Sequence, residues 1–175
     1  MKIIPFLLVL NICGGVPYIK SKNKVKQIRK IIKYSEKKGL DSYEMLAIAL
    51  TESSFNPKAV SNKGAIGLFQ VMCKYWAKPL GYKSMDKCKS DLFNPEKNIA
   101  AGAHVLTTYR SGYKQCKGSL AYRCYFAGPF WYRRGPKLMK KIAAYEKKVL
   151  ENKDALLYYH KDFIEKIRNE FKAKG

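Results

Sequence analysis

Acidic residues are scarce in this chain of 175 residues, which has 13 aspartates and glutamates against 35 lysines and arginines. Many enzymes that act through carboxyl groups need two of them, one as acid and one as base or nucleophile. Between Glu52 and Tyr125 the sequence has only Asp86, Asp91 and Glu96. We predict the two aspartates in a lysine-rich loop, and Glu96 at a helix start, where the helix dipole favours a carboxylate. The shortage therefore favours chemistry that needs a single acid.

Other absences narrow the fold and the partners. No alternation of apolar and polar residues extends beyond a few positions, which argues against a large β-sheet. The sequence also lacks an internal repeat, a low-complexity tract and a signature of RNA or DNA binding. Its formal charge of +22 nevertheless indicates a polyanionic partner or an anionic surface. Nucleic acid, acidic lipid and cell wall all have that character.

The first 15 residues are typical of a signal peptide. Lys2 supplies a positive charge, residues 3–12 are mostly apolar, and the small residues Gly14 and Gly15 suit a cleavage site after Gly15. The apolar run is too short to span a bilayer comfortably. An N-terminal core segment is the alternative. We therefore predict an exported protein, periplasmic or extracellular.

Loss of that segment would remove Cys13 and leave four cysteines, an even number that suggests disulfides in an exported chain. Three pairings are possible, and local closure favours Cys73 with Cys88 and Cys116 with Cys124. Zinc binding is the competing interpretation. Because neither pair has the short spacing of zinc ligands, we expect no metal site.

Apolar periodicity predicts helices throughout the N-terminal half. One helix contains Val25 and stops at Gly39, and the next starts at the capping residue Asp41 and ends near Glu52. Residues 53–64 carry turn signals and are predicted as a loop. A short helix through Gln70 is predicted next, with a small β-hairpin within 53–66 as a further option.

The C-terminal half continues the helical pattern. Asn94 is predicted to cap a helix, and residues 119–126 form a shorter buried segment. Pro136 opens a long, basic and amphipathic region, in which Tyr145 falls in phase with apolar residues. Asn152 and Asp154 mark a predicted break within it.

Glu52 is the strongest candidate for chemistry. It follows the apolar run 45–50 and precedes a break at Asn56 and Pro57, so its carboxyl group is expected at the rim of the core. Burial there disfavours the charged form and raises the pKa toward neutrality, which suits a general acid. An ordinary helix-end carboxylate is the bland alternative. Gly64 and Gly67 follow and let the backbone approach a ligand closely.

Four segments in order resemble the catalytic motifs of the lytic transglycosylases, goose-lysozyme-like enzymes that cut peptidoglycan glycan strands. They lie within residues 52–59, 64–70, 94–106 and 125–128, and the resemblance extends over roughly residues 25–132. Phe126 stands where the family usually has Asn.

The resemblance implies a mostly α, lysozyme-like helical domain over residues 16–135. A signal peptide over 1–15 would precede it, and a basic C-terminal helical extension over 136–175 would follow. We expect the extension to pack back on the domain, with a surface helix that docks on membrane or wall as the alternative.

The resemblance also implies cleavage of the β-1,4 bond between MurNAc and GlcNAc without water, leaving anhydro-MurNAc ends, with no cofactor. Glu52 would act first as acid and then as base. A goose-type lysozyme that adds water and a peptidoglycan-binding module that does not cut are the alternatives. Glycan strands are the expected partner, with anionic wall polymers or a membrane surface as further options and no nucleic acid, and we expect a monomer. The substrate-binding candidates are Ser53, Phe69, Gln70, Met72 and Tyr125.

Overall fold

Helices dominate the structure, a computed structural model that describes residues 21–173, and the predicted mostly α-helical class is confirmed. The predicted signal peptide lies outside the described residues. Within the described residues, 3₁₀ turns at Lys114–Cys116 and Trp131–Arg133 flank the helix Leu120–Ala127. In chain order the elements are α1 (Lys22–Lys38), α2 (Ser42–Ser53), β1 (Ala65–Ile66), β2 (Val71–Met72), α3 (Cys73–Trp76), α4 (Met85–Leu92), α5 (Pro95–Gly112), α6 (Leu120–Ala127), α7 (Pro136–Tyr159) and α8 (Lys161–Lys172).

The boundaries of α1, α2 and α5 follow local signals. Gly39 ends α1 in the left-handed conformation, with φ at 62°. The Asp41 side chain accepts hydrogen bonds from the N–H groups of Tyr43 and Glu44 and so caps α2. Asn94 caps α5 in the same way. All three residues had been predicted to mark these ends.

The core forms around α2, whose residues from Ser42 to Leu50 are all buried. α7 lies along α2 and α6, while α8 packs against α1. Ile142, Val149 and Leu156 supply the buried face of α7. The C-terminal region therefore packs back on the preceding helices, as expected. None of the described helices is both long and apolar enough to cross a membrane.

The prediction of a short helix through Gln70 is wrong, because a β-hairpin occupies this segment. Ala65 pairs with Met72 and Ile66 with Val71, so the hairpin lies later than the predicted 53–66, although Val60 bridges to Ile66. The physical reason lies in α5, where the Asn98 amide is fully buried beneath the turn.

Asn98 fixes the backbone of this turn, because its side-chain amide both accepts and donates hydrogen bonds there. The Phe69 N–H donates to Oδ1 at 2.8 Å, and Nδ2 donates to the carbonyls of Ile66 and Leu92 at 2.9 Å each. Gly67, with φ at 76°, makes room, since a Cβ there would come within 2.3 Å of Nδ2. The backbone groups that a helix would use are thus bonded to a distant side chain.

Two further predictions are corrected. The supposed lysine-rich loop around Asp86 and Asp91 is α4, which Ser84 caps by accepting from the Lys87 N–H. The predicted break near Asn152 is also wrong, because α7 continues to Tyr159. There the Asn152 amide donates to Thr51 Oγ1 at 2.8 Å, a contact with α2 that holds the side chain in a continuous helix.

Two disulfides join neighbouring elements in the pairing that local closure favours. Cys73 bonds Cys88 and ties α3 to α4. Cys116 bonds Cys124 and ties the first 3₁₀ turn to α6.

Candidate active site

Glu52 lies in the last turn of α2, partly exposed at the residue level but with its carboxyl group deep among protein atoms. Burial raises the pKa of this carboxyl group from 4.5 to about 7, while a hydrogen bond from Tyr145 and the charge of Lys148 oppose the rise. Burial prevails, so Glu52 keeps a proton to near-neutral pH. The local reason is the apolar run before it, which carries the end of α2 into the core.

Tyr145 forms a hydrogen bond with the Glu52 carboxyl group. Its hydroxyl donates to Glu52 Oε1 at 2.5 Å, across 93 positions of sequence. Burial and the neighbouring Glu52 charge raise the pKa of Tyr145 well above 10, so the phenol remains a donor. Sequence reasoning placed Tyr145 on the apolar stripe of α7 and missed this role. The phenol hydroxyl was the one available signal, since a buried tyrosine usually finds a hydrogen-bond partner.

Ser53 and Tyr125 brace the loop beside Glu52 and do not bond its carboxyl group. Ser53 Oγ lies 2.9 Å from the carbonyl of Leu68, within donating distance. The Tyr125 hydroxyl donates to the carbonyl of Phe69 at 2.7 Å. Burial and, next, the charge of Glu52 raise the pKa of Tyr125 well above 10, which places its ring in the electrostatic surroundings of that carboxyl.

The other three substrate-binding candidates, Phe69, Gln70 and Met72, lie in different surroundings. Phe69 is fully buried against Gly102, where an added Cβ would come within 2.3 Å of the ring, so Phe69 belongs to the core. The Gln70 amide donates to the carbonyls of Ala59 and Gly67 and holds the loop. Met72 lines a small cavity of about 170 Å³ that includes none of the other candidates.

Phe126 stacks on the tyrosine that is hydrogen-bonded to Glu52. Its ring is 44% exposed and stacks on Tyr145, with centroids 4.8 Å apart and 25° between the planes. The position therefore contributes an apolar ring that covers the tyrosine bonded to Glu52.

A larger cavity, of about 730 Å³, lies elsewhere between α1, α5 and residues 79–82. Tyr34, Tyr82 and His104 are among its lining residues, and Glu52 is not. The candidate site is instead the junction where the end of α2 meets the hairpin loop, α6 and α7.

A known family model covers the segments of the chain that form this junction. The family model described as the Transglycosylase SLT domain matches residues 29–150, about two thirds of the chain. The chain belongs to the Transglycosylase SLT domain family. The matched segment continues past the predicted domain end at residue 135 and includes Tyr145. Both partners of the hydrogen bond at Glu52 thus lie within the SLT domain.

Curated relatives of this SLT domain include the membrane-bound lytic murein transglycosylases C of Edwardsiella ictaluri and Pectobacterium atrosepticum. They are 40% and 38% identical, each over 102 residues. Each match covers 56% of this chain and 28% of the relative. The chain therefore spans under a third of the length of these relatives.

Solved structures share the SLT fold. The 70 kDa soluble lytic transglycosylase of Escherichia coli is similar with a TM-score of 0.57 and 25% identity, over 75% of this chain and 24% of that one. An inactive glutamate-to-glutamine mutant of the lytic transglycosylase Slt from Pseudomonas aeruginosa gives a TM-score of 0.56 at 24% identity, over 85% and 25% of the two chains. The predicted lysozyme-like helical fold is confirmed.

The arrangement supplies a proton donor, and no carboxylate of residues 21–173 is among the groups that shift its pKa. Within residues 21–173, the side chains that shift the pKa of Glu52 are a tyrosine and a lysine. Such a site can protonate a leaving group once and can take a proton back, which is general acid and general base chemistry by a single residue.

Proposed function

We propose that this chain is a peptidoglycan lytic transglycosylase, which cleaves the β-1,4 bond between MurNAc and GlcNAc without using water. The observation that carries the proposal is the pKa of about 7 that burial confers on Glu52. A carboxyl group with this pKa holds a transferable proton near neutral pH. Membership of the SLT family and the names of the relatives support the same activity.

In the proposed first step, Glu52 gives its proton to the glycosidic oxygen, and the bond between that oxygen and C1 of MurNAc breaks. The positive charge that develops at C1 is stabilised by the N-acetyl oxygen of the same sugar. The substrate thereby takes the place of the second carboxylate that most glycosidases use. Tyr145 stays bonded to Glu52 and holds the new carboxylate in place.

In the second step the 6-hydroxyl of MurNAc attacks C1, and ionised Glu52 accepts the proton of that hydroxyl. The products are an anhydro-MurNAc end and a free GlcNAc hydroxyl, and Glu52 is protonated again. Ser53 and Tyr125 serve this chemistry by bracing the loop at residues 68–69. Gln70 holds the same loop by donating to the carbonyls of Ala59 and Gly67.

We further propose that the chain acts outside the cytoplasm, in the periplasm or the extracellular space. Its two disulfides are typical of an oxidising compartment. The signal peptide predicted at residues 1–15 and relatives that are called membrane-bound point the same way. A monomeric state, a lack of nucleic-acid binding, and binding to anionic wall polymers or a membrane surface stay predictions.

Product analysis on purified sacculi tests the proposed activity. Wild-type protein should clear the suspension and release muropeptides whose MurNAc ends are lighter by one water than hydrolysed ends in mass spectra. Reducing MurNAc ends would identify a lysozyme instead. Sedimentation with the sacculi without clearing them would identify a binding module. Near-wild-type release by Glu52→Gln would show that another residue is the acid.

A further inference from the structure

One side of α7 faces the end of α2 that carries Glu52. Tyr145 reaches the Glu52 carboxyl group, and Asn152 reaches the Thr51 hydroxyl. Because a helix repeats every 3.6 residues, these two contacts define which positions of α7 share that side. Residues four before and three after Tyr145 lie next to it, and both are lysines.

Lys137, Lys141 and Lys148 form a row of basic side chains on this side of α7, here called the α7 lysine row. All three are exposed. With a rise of 1.5 Å per residue, Lys141 and Lys137 lie about 6 Å and 12 Å along the helix axis from Tyr145. Lys148 lies on the other side of Tyr145 and acts on the pKa of Glu52. The row thus leads away from the proposed proton donor.

Lys137 and Lys141 have no acidic neighbour among residues 21–173 to neutralise them. Residues 97–145 contain no aspartate or glutamate. The next acidic residue along the chain, Glu146, forms an ion pair with Arg123. Across residues 21–173 no ion pair joins Lys137 or Lys141 to a carboxylate, whereas Lys87, Lys97 and several other basic residues have one. Two positive charges therefore stand unpaired beside the site.

We propose that Lys137 and Lys141 bind acidic groups carried by the glycan strand, namely the carboxylates of its peptide stems, and so make stem charge a determinant of substrate preference. The inference rests on the proposed function, because a strand bound for cleavage at Glu52 must run past one end of the site. Charge complementarity is the argument. Ammonium groups on long flexible side chains suit carboxylates that vary in position from one stem to the next.

A pair of matched double variants tests the row. Lys137→Gln with Lys141→Gln removes both charges. Lys140→Gln with Lys147→Gln removes two charges that lie about a quarter-turn further round the same helix, away from Tyr145, and the exposed pair of Lys147 with Glu151 at 3.6 Å contributes little. Both double variants keep Lys148, Tyr145 and Glu52. They change the net charge equally, so only the place of the charge differs.

Two substrates complete the test: glycan strands with their peptide stems, and the same strands after the stems have been removed by an amidase. On stem-bearing strands the Lys137/Lys141 variant should raise KM about three- to tenfold with little change in kcat, as expected for two exposed charge pairs. The difference should shrink as salt rises, because the lysines are exposed. On strands without stems the KM of the Lys137/Lys141 variant should match that of wild type. The KM of the control variant should match wild type on both substrates.

Equal loss on both substrates, or no loss on either, overturns the inference while leaving the proposed function intact. Sedimentation with sacculi before and after stem removal provides a readout that needs no cleavage. If wild-type protein cuts neither substrate, the proposed function fails, and the sedimentation result still decides whether the row binds stems.

Discussion

The two ends of α2 carry the same residue type in opposite electrostatic settings. Glu44, in the first turn, is buried and accepts two hydrogen bonds from the Arg110 guanidinium, at 2.9 Å and 2.6 Å, and one from the Tyr122 hydroxyl at 2.7 Å. Glu52, in the last turn, accepts one bond, from Tyr145 at 2.5 Å. Each glutamate has a tyrosine donor, but within residues 21–173 only Glu44 has a directly bonded cation.

The difference shows how one helix serves stability at one end and chemistry at the other. The helix dipole favours a carboxylate near the first turn and disfavours one near the last. Arg110 completes the compensation at Glu44, and the pair raises the pKa of Arg110 further above its usual range. At Glu52 the cation that opposes the rise in pKa, Lys148, is exposed and acts through its charge, so the cost of burying a charge remains.

The largest expected effect is on activity at the Glu52 end. Glu52→Gln keeps the shape of the side chain and removes the proton, so release of anhydro-muropeptides should fall by about 10²- to 10⁴-fold. Circular dichroism should show an unchanged fold. Glu44→Gln is the matched substitution in the same helix, and the part of the sample that remains folded should keep activity within about tenfold. Equal losses from both substitutions would contradict the comparison.

The next effect is on stability at the Glu44 end. Arg110→Met leaves the buried Glu44 carboxylate with Tyr122 alone, so the free energy of unfolding should fall by about 2–4 kcal/mol. The value is below that of a fully buried pair because the Arg110 side chain is 36% exposed. Urea unfolding at pH 7 measures it, and a loss below about 1 kcal/mol would mean that the cation is not what stabilises Glu44.

A third effect is the dependence of stability on pH at Glu52. The folded pKa of about 7 lies above the ordinary value of 4.5, so folding favours the protonated form. Wild-type protein should therefore lose stability relative to Glu52→Gln as pH rises from 4.5 to about 7. The gap should reach about 3–4 kcal/mol and then stay constant. Thermal unfolding at pH 4 and pH 8 checks the sign, which a salt-bridged carboxylate would reverse.

The smallest effect concerns the hydrogen bond from Tyr145. Wild-type kcat/KM should be level at acidic pH and fall as pH rises through about 7, because the acid must be protonated. Tyr145 lowers the pKa of Glu52, so Tyr145→Phe should move the fall to higher pH. Its kcat should drop about threefold to tenfold, since one hydrogen bond is lost.

Tyr122→Phe is the control for that measurement, because it removes the tyrosine bond at the Glu44 end. It should lower stability and leave the pH profile in place. A profile that moves in both variants, or in neither, would show that the tyrosine bonded to Glu52 does not tune its proton.

Local chemistry is what made part of this protein predictable. Gly39 ends α1 and Asp41 caps α2 through hydrogen bonds to backbone atoms a few residues away. These helix ends can therefore be predicted from the local sequence. Glu52 was expected at the rim of the core because an apolar run of helical length leads to it. The family motifs in residues 52–70 are likewise short segments, so they can be recognised from the sequence without knowing the fold.

What only the tertiary structure decided depends on residues far apart in the chain. The hairpin replaced a predicted helix because Asn98, 29 positions after Phe69, binds its backbone. α7 ran through the predicted break at Asn152 because that side chain contacts Thr51. Tyr145 became the partner of Glu52 because α7 packs along α2. The sequence by itself determined which segments are helical and which acid stands at the core's edge. Packing determined which side chains contact that acid, because apolar periodicity predicts that a side chain is buried but not which residue it will contact.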